Sequence, residues 1–326
     1  MNKDLQIRDE VRKRLEEEKK IPLKVSIMGQ TGVGKSSLLN ALFNTQLKTD
    51  PIRPCTKEIE RVVTRGPSNH ELWFYDLPGI GEAGKADTQY LNSYREKLIE
   101  SDVVLWAIHA DSRSVTFDLD ALFKILEPID KIVQGRLMSK IIFVLTKADL
   151  LTPPPWMLNQ IGNNGVFIPH PDTTGVLEQK EHYYQETFIL PFGNLITTQT
   201  YHKGDFTIDT PCLSYDKFNV YYQGFLGKET VIQLKKQFPG HADVFDRLYD
   251  GCRVMSCSSL FRYNLILLMR IIVDKLGVEA IARFRNFYTN QEMNVISLSK
   301  AREYCNMRIV DSNKGRVVFD LTRMKI

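Results

Sequence analysis

The stretch Met28-Gly29-Gln30-Thr31-Gly32-Val33-Gly34-Lys35-Ser36-Ser37-Leu38-Leu39-Asn40-Ala41-Leu42-Phe43 decides the fold. From Gly29 to Ser36 it fits the phosphate-loop pattern G-x-x-x-x-G-K-S/T without a mismatch. Residues 24–28 before it predict a buried strand, and residues 36–43 after it carry apolar side chains at helical spacing. The glycines thus fall at a strand-to-helix turn. There, successive backbone N–H groups can face phosphate oxygens, and the helix N-terminus adds partial positive charge. Lys35 is placed to reach the β and γ phosphates and Ser36 to ligate Mg2+, while Gln30, Thr31, Gly32, Val33, Gly34 and Ser37 share the turn. A nucleoside triphosphate is the ligand this pattern implies, on a three-layer α/β fold with a mostly parallel sheet.

The base is addressed further along, at Thr146-Lys147-Ala148-Asp149, directly after the apolar run 141–145. An aspartate at a strand end can accept hydrogen bonds from the N1–H and N2–H2 of guanine, and adenine offers no such donor pair. A site built on that pairing rejects ATP, because the carboxylate would be left buried and unpaired. Between the two motifs, Leu72-Trp73-Phe74-Tyr75-Asp76-Leu77-Pro78-Gly79 is a hydrophobic strand ending in D-x-P-G. Asp76 is placed to hold Mg2+ through water and the Gly79 N–H to meet the γ-phosphate. Thr56, in the loop 49–56, is the candidate to close on Mg2+ and γ-phosphate. Thr64 is a poorer one, because it falls in the strand predicted over 59–65. Lys35, Thr56 and Gly79 are therefore the candidates for γ-phosphate chemistry, and Ser36, Thr56 and Asp76 those for the metal.

In these motifs and their order the chain resembles the translation-factor-related P-loop GTPases of the Era-like branch, and within them the bacterial YfjP-like GTPases. Residues 28–43 look like that group's phosphate loop and first helix, Cys55-Thr56 like its switch I, and Asp76-Leu77-Pro78-Gly79-Ile80-Gly81-Glu82 like its switch II. Val254-Met255-Ser256-Cys257-Ser258 is similar to its fifth motif, a strand followed by S-A-x, which implies that a backbone N–H near Ser256 and Cys257 contacts guanine O6. The resemblance covers roughly residues 22–150 and 250–276 and implies GTP and GDP as ligands, with Mg2+.

Small signalling GTPases follow D-x-x-G with a glutamine that orients the attacking water; here Ile80 takes that place. The expectation is slow turnover unless a dimer partner or effector supplies the missing group. Arg53 and Arg61 are options for an arginine finger, and Gln30 and Glu82 for orienting water. Gly32 stands where potassium-activated relatives carry asparagine, so no K+ dependence is expected.

Composition is ordinary for a globular protein, with 43% hydrophobic and 25% charged residues in 326, enough for a domain-sized core and a second unit. The five cysteines (Cys55, Cys212, Cys252, Cys257, Cys305) form no C-x-x-C pair, which suits free thiols in a reducing, cytoplasmic setting. The charged N-terminus lacks a signal-peptide core, and the longest apolar stretch, 265–273, is interrupted by Arg270.

Domain boundaries follow from spacing. Residues 1–20 predict a charged helix with Ile7, Val11 and Leu15 on one stripe, and 21–151 the first part of the GTPase core. Between Asp149 and Ser256 lie 106 residues, where the family needs a single helix and its loops. Pro153-Pro154-Pro155 marks the exit, because each ring fixes φ and removes a donor. Residues 152–227 predict an inserted β-rich subdomain, with 195–201 and 206–209 as a hairpin and 218–225 as a further strand. Residues 228–276 predict the helical return and the second part of the core, and 277–326 a helical, basic C-terminal extension.

The function expected is a GTP-hydrolysing switch. Its rivals are a GTP-binding scaffold that barely hydrolyses and a ribosome- or RNA-associated assembly factor. An effector would meet residues 152–227, and a homodimer is a further option. RNA, ribosome or a membrane surface would need the basic tail, which has nine Lys or Arg against four Asp or Glu from Arg283 onward but no recognition motif.

Overall fold

The computed structural model describes residues 22–49, 59–65, 71–80, 87–112, 115–151, 156–202, 204–277, 291–304, 308–311 and 316–320. The N-terminal helix expected over 1–20, together with Thr56, Arg53, Cys55, Gly81 and Glu82, lies outside the described residues.

The central sheet has six strands: β1 (Leu23–Met28), β2 (Glu60–Arg65), β3 (Glu71–Asp76), β4 (Val103–His109), β5 (Ile141–Thr146) and β11 (Met255–Ser256). Their order is β11-β5-β4-β1-β3-β2, parallel throughout except for β2, which runs antiparallel to β3. Thr64 lies in β2 as expected, opposite Leu72. Parallel strands need crossovers that cover both faces, so the inner strands are apolar on both sides. β4 shows this directly. Val103, Leu105 and Ala107 enter the core on one face, while Val104, Trp106 and Ile108 enter the core on the other.

The first face is covered by α1 (Lys35–Phe43) and α8 (Leu265–Leu276). Leu38, Leu39, Leu42 and Phe43 form the buried stripe of α1, and the Phe43 ring lies 4.2 Å from that of Phe74. The helix stops at Asn44, whose left-handed backbone returns its N–H to Asn40 O. The opposite face is covered by α2 (Asp87–Glu100), α3 (Thr116–Leu126) and α4 (Lys131–Lys140), and by a helix expected to lie outside the core, α5 (Pro171–Phe188). Tyr184 and Phe188 of α5 are fully buried in one cluster with Trp106 and Phe143.

This changes the expected division of the chain. The segment 152–227 is not a single β-rich module beside the core, because α5 is an integral helix of the core. Its apolar face recurs at helical spacing but was masked by the surrounding Thr, Tyr and Phe. What stands apart is a hairpin before α5, β6 (Trp156–Ile161) with β7 (Asn164–Pro169), and a unit after it. That unit is a sheet of β8 (Thr197–Tyr201), β10 (Asn219–Gln223) and β9 (Leu213–Tyr215) backed by α6 (Lys228–Gln237) and α7 (Ala242–Gly251). Residues 206–209 are not a strand; the tight hairpin is β9 with β10, turned by Asp216, whose carboxylate accepts the N–H groups of Phe218 and Asn219. The described part of 277–326 is mixed: β12 (Ile296–Ser297) pairs with β7, α9 (Leu298–Tyr304) follows, and β13 (Arg308–Asp311) pairs with β14 (Arg316–Asp320).

Candidate functional site

The phosphate loop runs from the end of β1 into α1. Gly29 is required by a close approach: a Cβ there would stand 2.0 Å from Ala107 O of β4. Lys35, 7% exposed, donates from Nζ to Gly29 O and Gln30 O at 3.2 Å each, so its ammonium spans the mouth of the loop. Ser36 Oγ donates to Asp76 Oδ2 at 2.6 Å, joining the first turn of α1 to the end of β3. Asp76 is 1% exposed. A hydroxyl and a carboxylate at that spacing are hard oxygen donors of the kind Mg2+ takes alongside phosphate oxygens, so these residues fit the ion. Among the described residues, no group of three or more His, Cys, Asp or Glu forms an all-protein metal cage.

Beyond β3 the chain turns back on the loop. Leu77 N donates to Ile27 O, Ile80 N donates to Gly29 O, and Tyr94 Oη donates to Pro78 O. Gly79 allows this, since a Cβ there would overlap Thr31 Oγ1 at 1.8 Å. The Ile80 side chain, 8% exposed, packs among Leu77, Tyr94 and Trp106, so the residue in the glutamine's place faces the core. Of the other water-orienting or charge-stabilising options, the two among the described residues are engaged elsewhere as well. Gln30 Nε2 donates to Asp118 Oδ2 at 2.6 Å, and the Arg61 guanidinium lies over the Trp73 ring, 4.7 Å from its centroid.

Thr146-Lys147-Ala148-Asp149 is bonded to the phosphate loop at two points. Thr146 Oγ1 donates to Val33 O at 2.6 Å, and Lys147, in a left-handed backbone at φ 55°, donates from Nζ to Gly32 O at 2.6 Å. The lysine thus lies across the loop beside Asp149. Asp149 Oδ1 accepts from Ser258 Oγ at 2.5 Å, and Ala148 N donates to Cys257 O.

Here the expected base contacts shift. Ser256 and Cys257 are fully buried, and both N–H groups are already taken: Ser256 N donates to Glu181 Oε1 at 2.7 Å and Cys257 N to Leu145 O at 2.8 Å. In this arrangement neither N–H is left for a base, because the α5 carboxylate holds one and the strand ladder the other. Burial, with the charge of Asp149, pushes the Cys257 thiol well above its ordinary range. Ser258 Oγ orients Asp149, and the half-buried Ser259 carries a backbone N–H that makes no hydrogen bond among the described residues. The sequence held two overlapping serine frames here, and only the end of β11 distinguishes them.

Glu181 was not legible at all. It stands on α5, 75 residues from Ser256, and its carboxylate both accepts the Ser256 N–H and lies 3.5 Å from Arg253 Nη1. Burial pushes its pKa up. Asn264 Nδ2 donates to Ser256 O at 2.9 Å, fixing the same turn from the start of α8.

A sheet of this order, with a T-K-x-D turn bonded onto a phosphate loop and a D-x-P-G turn closing beneath it, defines a P-loop GTPase domain. A family model described as 50S ribosome-binding GTPase matches residues 24–147. The uncharacterized protein YkfA of Escherichia coli (strain K12) is 37% identical over 130 residues, which are 40% of this chain and 42% of YkfA. YfjP of the same organism is 35% identical over 130 residues, with the same shares, and the GTPase Era of Aquifex aeolicus (strain VF5) is 28% identical over 157 residues, 47% of this chain and 49% of Era. The chain carries a GTPase domain homologous to these proteins, and it spans less than half the length of each.

Proposed function

We propose that this chain binds GTP and GDP with Mg2+ and hydrolyses GTP, acting as a nucleotide-dependent switch. The observation that carries the reading is the bonding of the base-reading turn onto the phosphate loop, Lys147 Nζ to Gly32 O, with Asp149 oriented by Ser258. In this reading the loop N–H groups and Lys35 hold the β and γ phosphates, and Asp149 accepts from N1–H and N2–H2 of guanine. The Ser259 N–H donates to guanine O6. Ser36 and Asp76 would hold the magnesium ion, which when bound would supply charge neutralisation to the phosphates. Gly79 and Thr56 complete the γ-phosphate contacts. The test is equilibrium binding of GTP, GDP and ATP with single-turnover hydrolysis. A protein that binds ATP as tightly as GTP would contradict it.

A second reading, a GTP-binding scaffold with little hydrolysis, is favoured by one observation: Ile80 is packed into the core, and Gln30 and Arg61 are engaged elsewhere. Intrinsic turnover is accordingly slow, and the missing transition-state charge or water-orienting group comes from a second copy or an effector. Hydrolysis measured over a range of protein concentrations separates the two readings, because a dimer contribution raises the rate per molecule. Among the described residues, no helix is long and apolar enough to cross a membrane.

A further inference from the structure

We propose that Asp118 of α3 is the positioning residue of the phosphate loop, holding it through the side-chain amide of Gln30. The proposal rests on the reading that residues 29–36 bind nucleotide phosphates.

Gln30 is the first variable residue of the loop, and its backbone joins three parts of the site. Its carbonyl accepts from Lys35 Nζ at 3.2 Å, it bridges Ile80 in parallel register just after the D-x-P-G turn, and it follows Gly29 directly. Its side chain leaves the loop and ends on Asp118, where Nε2 donates to Oδ2 at 2.6 Å. The other carboxylate oxygen accepts from Trp106 Nε1 at 3.0 Å. Asp118 is 1% exposed and Trp106 fully buried, so the carboxylate is clamped from two sides. An ionised carboxylate only accepts, which fixes the amide with its NH2 toward α3 and its carbonyl away.

The arrangement is costly in isolation. A buried carboxylate satisfied by neutral N–H donors carries a desolvation penalty, and burial accordingly pushes the Asp118 pKa up. The titratable groups that sense its charge are Lys35 of α1, which favours the ionised form, and Tyr184 of α5. An apolar residue on α3 would pack against the sheet without that cost. It would also leave Gln30 free to swing, and with it the carbonyl that Lys35 uses. A rigid acceptor beneath the loop holds the loop's backbone in one arrangement before the phosphates arrive, and preorganisation of this kind raises affinity by lowering the ordering cost of binding.

The experiment is a donor and acceptor swap. Binding of fluorescent GDP and GTP analogues with Mg2+ is measured for the wild type, Asp118→Asn, Gln30→Glu, the double variant and Gln30→Ala. Wild-type protein without guanine-nucleotide affinity would overturn the assignment of the loop itself, a separate outcome. Given wild-type binding, Gln30→Glu sets two carboxylates face to face and weakens GDP and GTP by about tenfold, as expected for a hydrogen bond to a charged group. Asp118→Asn keeps a neutral pair, because the Gln30 amide turns over and its carbonyl accepts from the new NH2, so its loss stays within about threefold. The GTP over XTP preference stays the same, because Asp149 is untouched. Gln30→Glu alone regains affinity as the pH falls and one carboxyl takes a proton. The double variant restores a matched pair with the roles exchanged: the amide now on α3 donates to the carboxylate now on the loop, and its carbonyl still accepts from Trp106. Affinity recovers to within about twofold of the wild type. Gln30→Ala, which removes the amide altogether, gives the tenfold loss from the loop side and serves also if the Asp118 variants fail to fold. Unchanged affinity in Gln30→Ala, or a double variant no better than the weaker single one, would overturn the proposal.

Discussion

Ser36 Oγ donates a hydrogen bond to Asp76 Oδ2 across 2.6 Å, although the two residues stand 40 positions apart in the chain. The bond ties the first turn of α1 to the end of β3 and brings together the two oxygen donors expected at the magnesium ion. Ser36→Ala or Asp76→Asn should therefore weaken Mg2+-dependent GTP binding without unfolding the protein. A hydrogen bond to a charged group contributes about 1.5–3 kcal/mol, so a loss of tenfold or more is expected in titrations with Mg2+ and little change with EDTA. Equal losses with and without the metal would remove Ser36 and Asp76 from the metal site.

Ile80→Gln is the substitution that would make the chain look more like a signalling GTPase, and the packing around it implies that it fails. The side chain is buried in one apolar cluster with Leu77, Tyr94 and Trp106. An amide placed there is buried without a partner, at a cost of about 1–3 kcal/mol, and turnover does not rise. Chemical denaturation and single-turnover hydrolysis together decide this; a tenfold faster variant would show that Ile80 reaches the nucleotide.

α5 belongs to the core, so replacing all of 152–227 by a short linker should abolish cooperative unfolding. Tyr184 and Phe188 are fully buried against the sheet, and removing them exposes Trp106 and Phe143. The milder Glu181→Ala leaves the Ser256 N–H without its acceptor, which costs about 1–3 kcal/mol and lowers guanine-nucleotide affinity through the turn that carries Ser258. Glu181→Gln keeps an acceptor oxygen and should retain most of both. A folded, nucleotide-binding protein lacking 152–227 would refute the assignment of α5.

The unit after α5 is held on the core by a buried charge pair. Arg247 of α7, 4% exposed, places Nη1 3.2 Å from Asp274 Oδ1 of α8 and donates from Nη2 to Tyr201 O of β8; Thr200 Oγ1 donates to the same aspartate oxygen. Asp274→Ala leaves the buried guanidinium with only the exposed carboxylate of Asp243, 3.0 Å from its Nε, and the expected loss of stability is about 3 kcal/mol. Guanine-nucleotide affinity of the fraction that remains folded should be unchanged. A loss below about 1 kcal/mol in urea denaturation would mean that the pair is not the fastening.

The phosphate loop, the D-x-P-G turn and the T-K-x-D turn were legible because each is local: a strand period, a glycine pattern and a helix period in one short window. The sheet order around them follows from the same elements. α5 was not legible, because its partners Trp106 and Phe143 lie far away in sequence and its own face is interleaved with Thr, Glu and Lys. The serine bonded to Asp149 stands two residues beyond the expected Ser256 for a similar reason. Ser256 and Ser258 are equivalent as letters, and only the ladder bond from Cys257 N to Leu145 O shows where β11 ends. Gln30 carried a visible amide but no sign of Asp118, whose role depends on the packing of α3 against β4.

The most direct test of the guanine-nucleotide site is competition among GTP, XTP and ATP for the wild type and for Asp149→Asn. The wild type should prefer GTP over ATP by about four orders of magnitude, the discrimination expected when a wrong ligand leaves buried polar groups unpaired. Asp149→Asn should move the preference from GTP toward XTP, because the amide offers a donor to the xanthine oxygen where the carboxylate offered only acceptors. A wild type that binds ATP as well as GTP, or an Asp149→Asn variant with unchanged base preference, would contradict the account.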